Sequence, residues 1–113
     1  MCRLYMPWLT IHLILHFITP VVLARFAFPD RWKSLSIIMV STMVVDLDHL
    51  LANPVFDPLR CSIGFHPLHS YLAIAAYLLM LALPQLRIVA LGLLIHMGLD
   101  GLECIRLAMH CSS

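Results

Sequence analysis

Three short polar strings break an otherwise apolar sequence: Asp46, Asp48 and His49 in VDLDH, His66 and His69 in HPLHS, and His96 and Asp100 in HMGLD. Two further histidines, His12 and His16, stand near the start. Imidazoles and carboxylates with no cysteine among them are ligands for zinc first, with manganese, iron or magnesium as alternatives, rather than for an iron–sulfur cluster. The candidates outnumber the four donors of a tetrahedral site, and carboxylates such as Asp46 and Asp100 can bridge, so the set fits one divalent ion or two. A metal held this way lowers the pKa of a bound water towards ~7 and stabilises charge developing on a phosphoryl or carbonyl oxygen, which is hydrolytic chemistry. A carboxylate left off the metal, Asp48 or Glu103, would serve as general base.

The elements that must position these groups follow from composition. The chain has 113 residues, of which 62% are hydrophobic and only 12% charged, and its mean hydropathy is +0.95; soluble domains carry about a quarter charged residues. The expectation is an all-α, polytopic membrane protein, a single membrane-embedded domain over residues 1–113 with no linker or repeat. Four transmembrane helices can be drawn, over about 8–28, 34–52, 67–83 and 86–110, each near the ~20 residues that cross a ~30 Å core. Pro29 with Asp30 ends the first, and Asn53 with Pro54, followed by Asp57 with Pro58, the second, since the residue before proline is pushed out of the helical region; Pro84 ends or kinks the third. The first span reads as retained rather than as a cleaved signal: it outruns an h-region, carries two histidines and lacks a small-x-small site. With a formal net charge of +1 and basic residues scattered singly, no nucleic-acid partner is expected.

Four crossings place both termini and the loop from Asn53 to Phe65 on one side of the membrane. At 1.5 Å rise per residue, all the polar strings then fall within roughly 6 to 15 Å of that face. Aspartate at bilayer depth costs roughly 2.5 to 3.5 kcal/mol, so several of them at one depth require a partner such as a divalent cation. Helical phase agrees: His12 and His16 are i,i+4, His66 and His69 are i,i+3, and His96 and Asp100 are i,i+4, with Glu103 adding to that last face. Asp46 and His49 share a face, whereas Asp48 lies about 200° from Asp46 on an ideal helix, so it needs a distorted helix end to join them or acts from behind the ligands. Gly98 and Gly101 flank the His96 face, where small residues allow a neighbouring helix to approach closely.

In this order the residues resemble a known family. The pattern H…DxDH…HxxHS…HxxxD, carried by His12 or His16, by Asp46, Asp48 and His49, by His66, His69 and Ser70, and by His96 and Asp100, is similar to that of small bacterial inner-membrane metal-dependent hydrolases, described as phospholipase-like and in some members LexA-regulated. The resemblance covers about Thr10 to Asp100. It implies a membrane-embedded enzyme of the bacterial inner membrane that cleaves a phosphoester or ester bond of a lipid, membrane lipids thus being both surroundings and substrate. Family members often carry HRGxTHS where this chain has His66-Pro67-Leu68-His69. The arginine and threonine are lost, and Arg60 is the substitute for a phosphate contact from this loop.

The remaining polar and aromatic residues have plainer roles. His110 sits at a helix end as a hydrogen-bond partner, Met39, Met43 and Met80 pack, and Tyr5, Trp8 and Trp32 read as interfacial belt residues. Arg25, Arg31, Lys33 and Arg87 lie on the turn side against Arg3, Arg60 and Arg106 on the site side, which by the positive-inside rule makes the site periplasmic. On that side Cys61 and Cys104 would be able to bridge over the site; in the cytoplasm they would stay thiols. Two other readings use the same residues: an intramembrane cation or proton transporter or metal-binding protein, and a bis-histidine haem protein with ligands such as His16 and His96. A homo-oligomer is left open, since no dimer face is legible.

Overall fold

The computed structural model describes residues 5–51 and 61–110. Helix α1 runs Tyr5–Ala27 and α2 Trp32–Ser41; a 3-10 helix continues α2 over Thr42–Leu51; a 3-10 turn, Pro67–His69, leads into α3, Tyr71–Met80, and α4 covers Arg87–His110. The described residues are thus all-helical, as composition predicts. The side chains of Tyr5, Trp8, His49 and His110, and all of Arg60, lie outside the described residues.

Two segments, Thr10–Ala27 and Arg87–Met109, are long and apolar enough to cross a membrane, and Tyr71–Met80 is a shorter apolar helix. The third element therefore departs from the expected span over 67–83. Its α-helix starts at Tyr71, because Ser70 caps it by accepting a hydrogen bond from the Ala73 N–H at 3.1 Å. The second span departs too, since its C-terminal half is 3-10 rather than α.

That 3-10 segment shows its period in burial. Thr42, Val45 and Asp48 are 7, 6 and 4% exposed, whereas Val44, Leu47 and Leu50 are 60, 60 and 67% exposed. Residues three apart eclipse in a 3-10 helix, so one row faces inward and another outward. Runs this long are uncommon because the hydrogen-bond geometry is poorer than in an α-helix. Here the run buries Asp48 and turns Asp46, half-exposed, towards α4 from the adjacent row.

Helix α4 is the axis of the fold, packed by α1, α2, α3 and the long 3-10 helix. On one side Ala24, Leu35 and Met39 form a buried cluster with Phe28, Trp32, Ile88, Leu91 and Ile95 around it. On the other, Val45, Tyr77, Leu93 and Met97 form a second. Close approach of α4 to the junction of α2 and the 3-10 helix depends on Gly92: a Cβ there would stand 2.9 Å from Met39 Cα, Met39 O and Thr42 Oγ1. Gly98 and Gly101, expected to admit a neighbour, have nothing within 4 Å of a Cβ. The tight glycine is one turn and a half earlier, against backbone rather than at the polar face.

Gly92→Ala should therefore destabilise the purified protein by about 1–3 kcal/mol, because two of the three nearest atoms are Met39 backbone and cannot rotate aside. Gly98→Ala should be neutral or stabilising, up to about 1 kcal/mol of helix propensity. Thermal denaturation of the two variants side by side checks this; equal midpoints would remove the packing role of Gly92.

Candidate metal centre

Four ligand atoms from three elements converge. Asp46 comes from the 3-10 helix, His69 from the end of the 3-10 turn, and His96 and Asp100 from one face of α4, where i,i+4 spacing stacks them. Asp46 Oδ1 stands 3.0 Å from His96 Nε2 and 3.4 Å from His69 Nε2. Asp100 Oδ2 stands 2.9 Å from His69 Nε2 and 3.1 Å from His96 Nε2, and the two Nε2 atoms are 3.1 Å apart. Donors 2.0–2.2 Å from a tetrahedral zinc lie about 3.3–3.6 Å from one another. These contacts are within a few tenths of an ångström of such a cage.

Hydrogen bonding alone does not account for so many contacts. Two Nε2 atoms carry at most two protons, so these five approaches cannot all be linear hydrogen bonds: the set is a shared ion-pair network of imidazoliums and carboxylates, or the cage of a cation. Asp100 Oδ2 is buried, and what it meets among the described residues is the two imidazole Nε2 atoms of His69 and His96. Such an arrangement is relieved by a cation at its centre, which is the test the residues pass.

The ring of His69 is fixed from behind. Its Nδ1 donates to Asp48 Oδ2 at 2.8 Å, and the same oxygen accepts the Leu68 N–H at 2.9 Å. Tyr77 Oη in turn donates to the Leu68 carbonyl at 2.8 Å, so the Leu68 peptide is held on both sides. A carboxylate on Nδ1 selects the tautomer that leaves Nε2 bare and aims it at the metal position. The loop before His69 turns at Gly64, whose φ of +81° favours glycine. The Gly64 N–H donates to the His69 carbonyl at 2.9 Å. A disulfide between Cys61 and Cys104, with Cα atoms 4.9 Å apart, ties this loop to α4 one turn beyond Asp100.

A second donor group adjoins the first. His12, His16 and Asp100 each offer an atom within 4.8 Å of the others, and both His12 Nε2 and His16 Nε2 lie 3.0 Å from Asp100 Oδ1. The His16 and His96 rings meet edge to face with centroids 4.4 Å apart. Axial ligands on opposite faces of a haem would stand farther apart than these two rings do.

Of the sequence candidates, His12, His16, Asp46, His69, His96 and Asp100 are brought together. Asp48, a candidate ligand and base, instead stands behind His69 with an oxygen taken by two donors. Its phase sends it to the buried 3-10 row with Thr42 and Val45 rather than to the row of Asp46. Glu103, the other candidate base, is engaged by Arg106 through two bonds of 2.8 and 3.1 Å. His66 is 2% exposed and meets the rings of Phe65 and His69 at 5.0 and 5.7 Å, outside both donor groups. Sequence reasoning missed Ser70 as the α3 cap, Tyr77 and the Leu68 N–H; the Ser-x-x spacing before an apolar run was the one available signal.

A family model matches residues 6–107, with the description "Family of unknown function (DUF6122)". No curated protein and no solved structure matches the chain.

The disulfide generates a prediction. A thiol reagent added to the folded protein should label neither Cys61 nor Cys104 until a reductant is present, read by mass spectrometry of the labelled peptides. Labelling of both without reductant would remove the tie.

Proposed function

We propose that this chain, which belongs to the DUF6122 family of unknown function, is a membrane-embedded metal-dependent hydrolase acting on a phosphoester or ester bond of a lipid-like substrate. The observation that carries the reading is the cage of Asp46, His69, His96 and Asp100, whose short contacts call for a cation. The DxDH, HxxHS and HxxxD strings that supply it are the ones that resemble inner-membrane hydrolases. The net reaction consumes one water: its oxygen bonds to phosphorus or the acyl carbon, the ester bond breaks, and a proton goes to the departing alkoxide. A bound divalent ion would supply Lewis acidity and an acidified water. The chain's own residues hold it, orient His69 through Asp48, and enclose the site.

Membrane embedding is supported by which side chains face which way. On α1 the buried residues are His16, Pro20 and Ala24, while Leu13, Ile14, Phe17, Ile18 and Val22 are exposed. The outward row of the 3-10 helix is Val44, Leu47 and Leu50. Large apolar residues outside and polar ones inside invert the soluble pattern, and a lipid surround accounts for it. The segment 32–51 fits a crossing by length: ten α residues at 1.5 Å and ten 3-10 residues at about 2.0 Å reach about 35 Å. Its irregular half is tolerated at depth because it is packed on α4 and lines the site.

Arg25, Arg31, Lys33 and Arg87 are exposed at the end remote from the cage, with Arg25 and Lys33 flanking the Trp32 ring at 6.0 and 5.8 Å. This end suits the cytoplasmic interface. The Cys61–Cys104 bridge on the opposite side suits an oxidising compartment, which supports a site at the periplasmic face of a bacterial inner membrane. A transporter would need ionisable groups along a path across; the Ala24, Leu35 and Met39 cluster fills the far half with apolar side chains instead.

The protein purified in lipid nanodiscs should retain a stoichiometric divalent metal, lost in Asp46→Ala combined with Asp100→Ala. Metal analysis reads this, and a wild type that holds no metal would mean that the cluster is an ion-pair network. Asp48→Asn should keep the fold and weaken metal binding by about 10–100-fold, because it loosens His69 without removing a donor. The metal-loaded wild type should release product from a panel of phospholipids and phosphoesters; no turnover on any of them would leave a metal-binding protein without hydrolase activity.

A further inference from the structure

The four-donor cage raises a difficulty for hydrolysis. Four protein ligands close a tetrahedral site, whereas catalytic sites keep a position for water or substrate. The second donor group resolves it. Asp100 faces two ways: Oδ2 lies against His69 and His96, and Oδ1 lies 3.0 Å from both His12 Nε2 and His16 Nε2.

The protonation of His16 is legible from its other nitrogen. Nδ1 donates to the His12 backbone carbonyl at 2.8 Å, one turn earlier on α1. A neutral His16 with that proton has a bare Nε2, and it points this lone pair at a carboxylate oxygen 3.0 Å away. Only an imidazolium or a cation between the two atoms makes that contact favourable. His16 is 4% exposed, and an imidazolium there would leave its charge to the one carboxylate it shares with His12. A divalent ion meets the bare nitrogens and the oxygen together.

We propose that His12, His16 and Asp100 hold a second divalent ion, bridged to the first by the Asp100 carboxylate, and that this three-donor ion keeps the open position where water and a substrate oxygen bind. The inference rests on the reading that the buried histidine and aspartate set binds metal. Two histidines and one carboxylate are a donor set that leaves coordination positions free. Two ions sharing a bridging carboxylate would clamp the attacking and departing oxygens of phosphoryl transfer, which favours a phosphoester over a carboxylic ester as the bond cleaved. Asp46 of the first group, with its side chain 39% exposed, and His12 of the second, 16% exposed against 3% for His16, are the donors nearest the outside.

The test is a titration of metal-stripped protein in nanodiscs with Mn²⁺, read by bound equivalents and by electron paramagnetic resonance. Wild type should bind two equivalents and show a spin-coupled pair. His12→Ala with His16→Ala should bind one, uncoupled, at an affinity within a few-fold of the tighter wild-type site. His12→Gln, a milder change at a partly exposed position, should weaken only the second equivalent, by at least about a hundredfold, with helicity by circular dichroism unchanged. One equivalent in wild type, unaltered in these variants, would overturn the second site while leaving the metal-dependent reading intact. No bound metal in wild type would overturn both.

Discussion

The carboxylate of Asp100 is the constraint around which the bundle is arranged. It is 5% exposed, in the middle of the longest helix, and an unpaired ion of that kind costs several kcal/mol to remove from water. Three elements besides α4 answer it: α1 sends His12 and His16 to one oxygen, and the turn before α3 sends His69 to the other, where His96 joins from one turn below. The 3-10 helix closes the remaining side with Asp46. Adding a second carboxylate to a buried carboxylate worsens the charge, so the arrangement is stable only with positive charge at its centre. Imidazoliums, with a proton on Nε2 besides the one that the Nδ1 bonds of His69 and His16 use, supply that charge in one arrangement; bare Nε2 atoms around a cation supply it in the other. A cation satisfies both oxygens and the bare nitrogens at once.

The same demand explains the 3-10 helix. An α-helix would send Asp46 and Asp48 to nearly opposite faces, one of them outward. At three residues per turn, Asp48 falls in the inward row and Asp46 in the neighbouring one, while Val44, Leu47 and Leu50 keep the outward row apolar. The poorer backbone geometry is offset by what the two carboxylates do: one enters the cage, and the other fixes His69 and the Leu68 peptide. Gly92 permits this by letting α4 approach the point where α2 gives way to the 3-10 helix. The Cys61–Cys104 tie then anchors the loop that carries His69 to the helix that carries Asp100. His69 and His16 are thus each held by a hydrogen bond on the ring nitrogen turned away from the donor groups.

Much of the site was legible in the sequence because membrane composition makes polar residues conspicuous. The i,i+4 pairs His12 with His16 and His96 with Asp100, and their common depth, follow from helical rise and phase alone, and the structure brings these four residues together with Asp46 and His69. The ambiguity of Asp48 was legible as well, since its phase set it apart from Asp46. What resolved that ambiguity was not legible: the string TMVVDLDHLL has the same apolar character for an α-helix as for a 3-10 helix, and tertiary packing chooses between them. Glycine spacing misled for a similar reason. Gly98 and Gly101 sit beside the polar face, but only the fold shows that Gly92 meets backbone. Glu103 shares the Asp100 side of α4 by phase, yet Arg106 at i+3 is its nearer claimant, a pairing that the sequence does contain.

A buried charge cluster at one end of a bundle does different work from one spread along it. A relay must pass protons or ions from group to group, so its ionisable residues are distributed over the thickness of the membrane. Here the donors draw together at one level, and the apolar cluster of Ala24, Leu35 and Met39 fills the other half. Concentration at one level suits chemistry on a molecule that itself lies at that level. A lipid does so: its ester and phosphoester bonds sit where acyl chains give way to head groups, about the depth that His12, Asp46 and His69 occupy in the four-crossing arrangement. The exposed Leu47, Leu50 and Leu51 beside Asp46, and Ile11 and Leu13 beside His12, place acyl-compatible surface next to the outermost donors of the two groups. On the proposed hydrolase reading, the position of the site and the character of its rim both suit a lipid-like substrate.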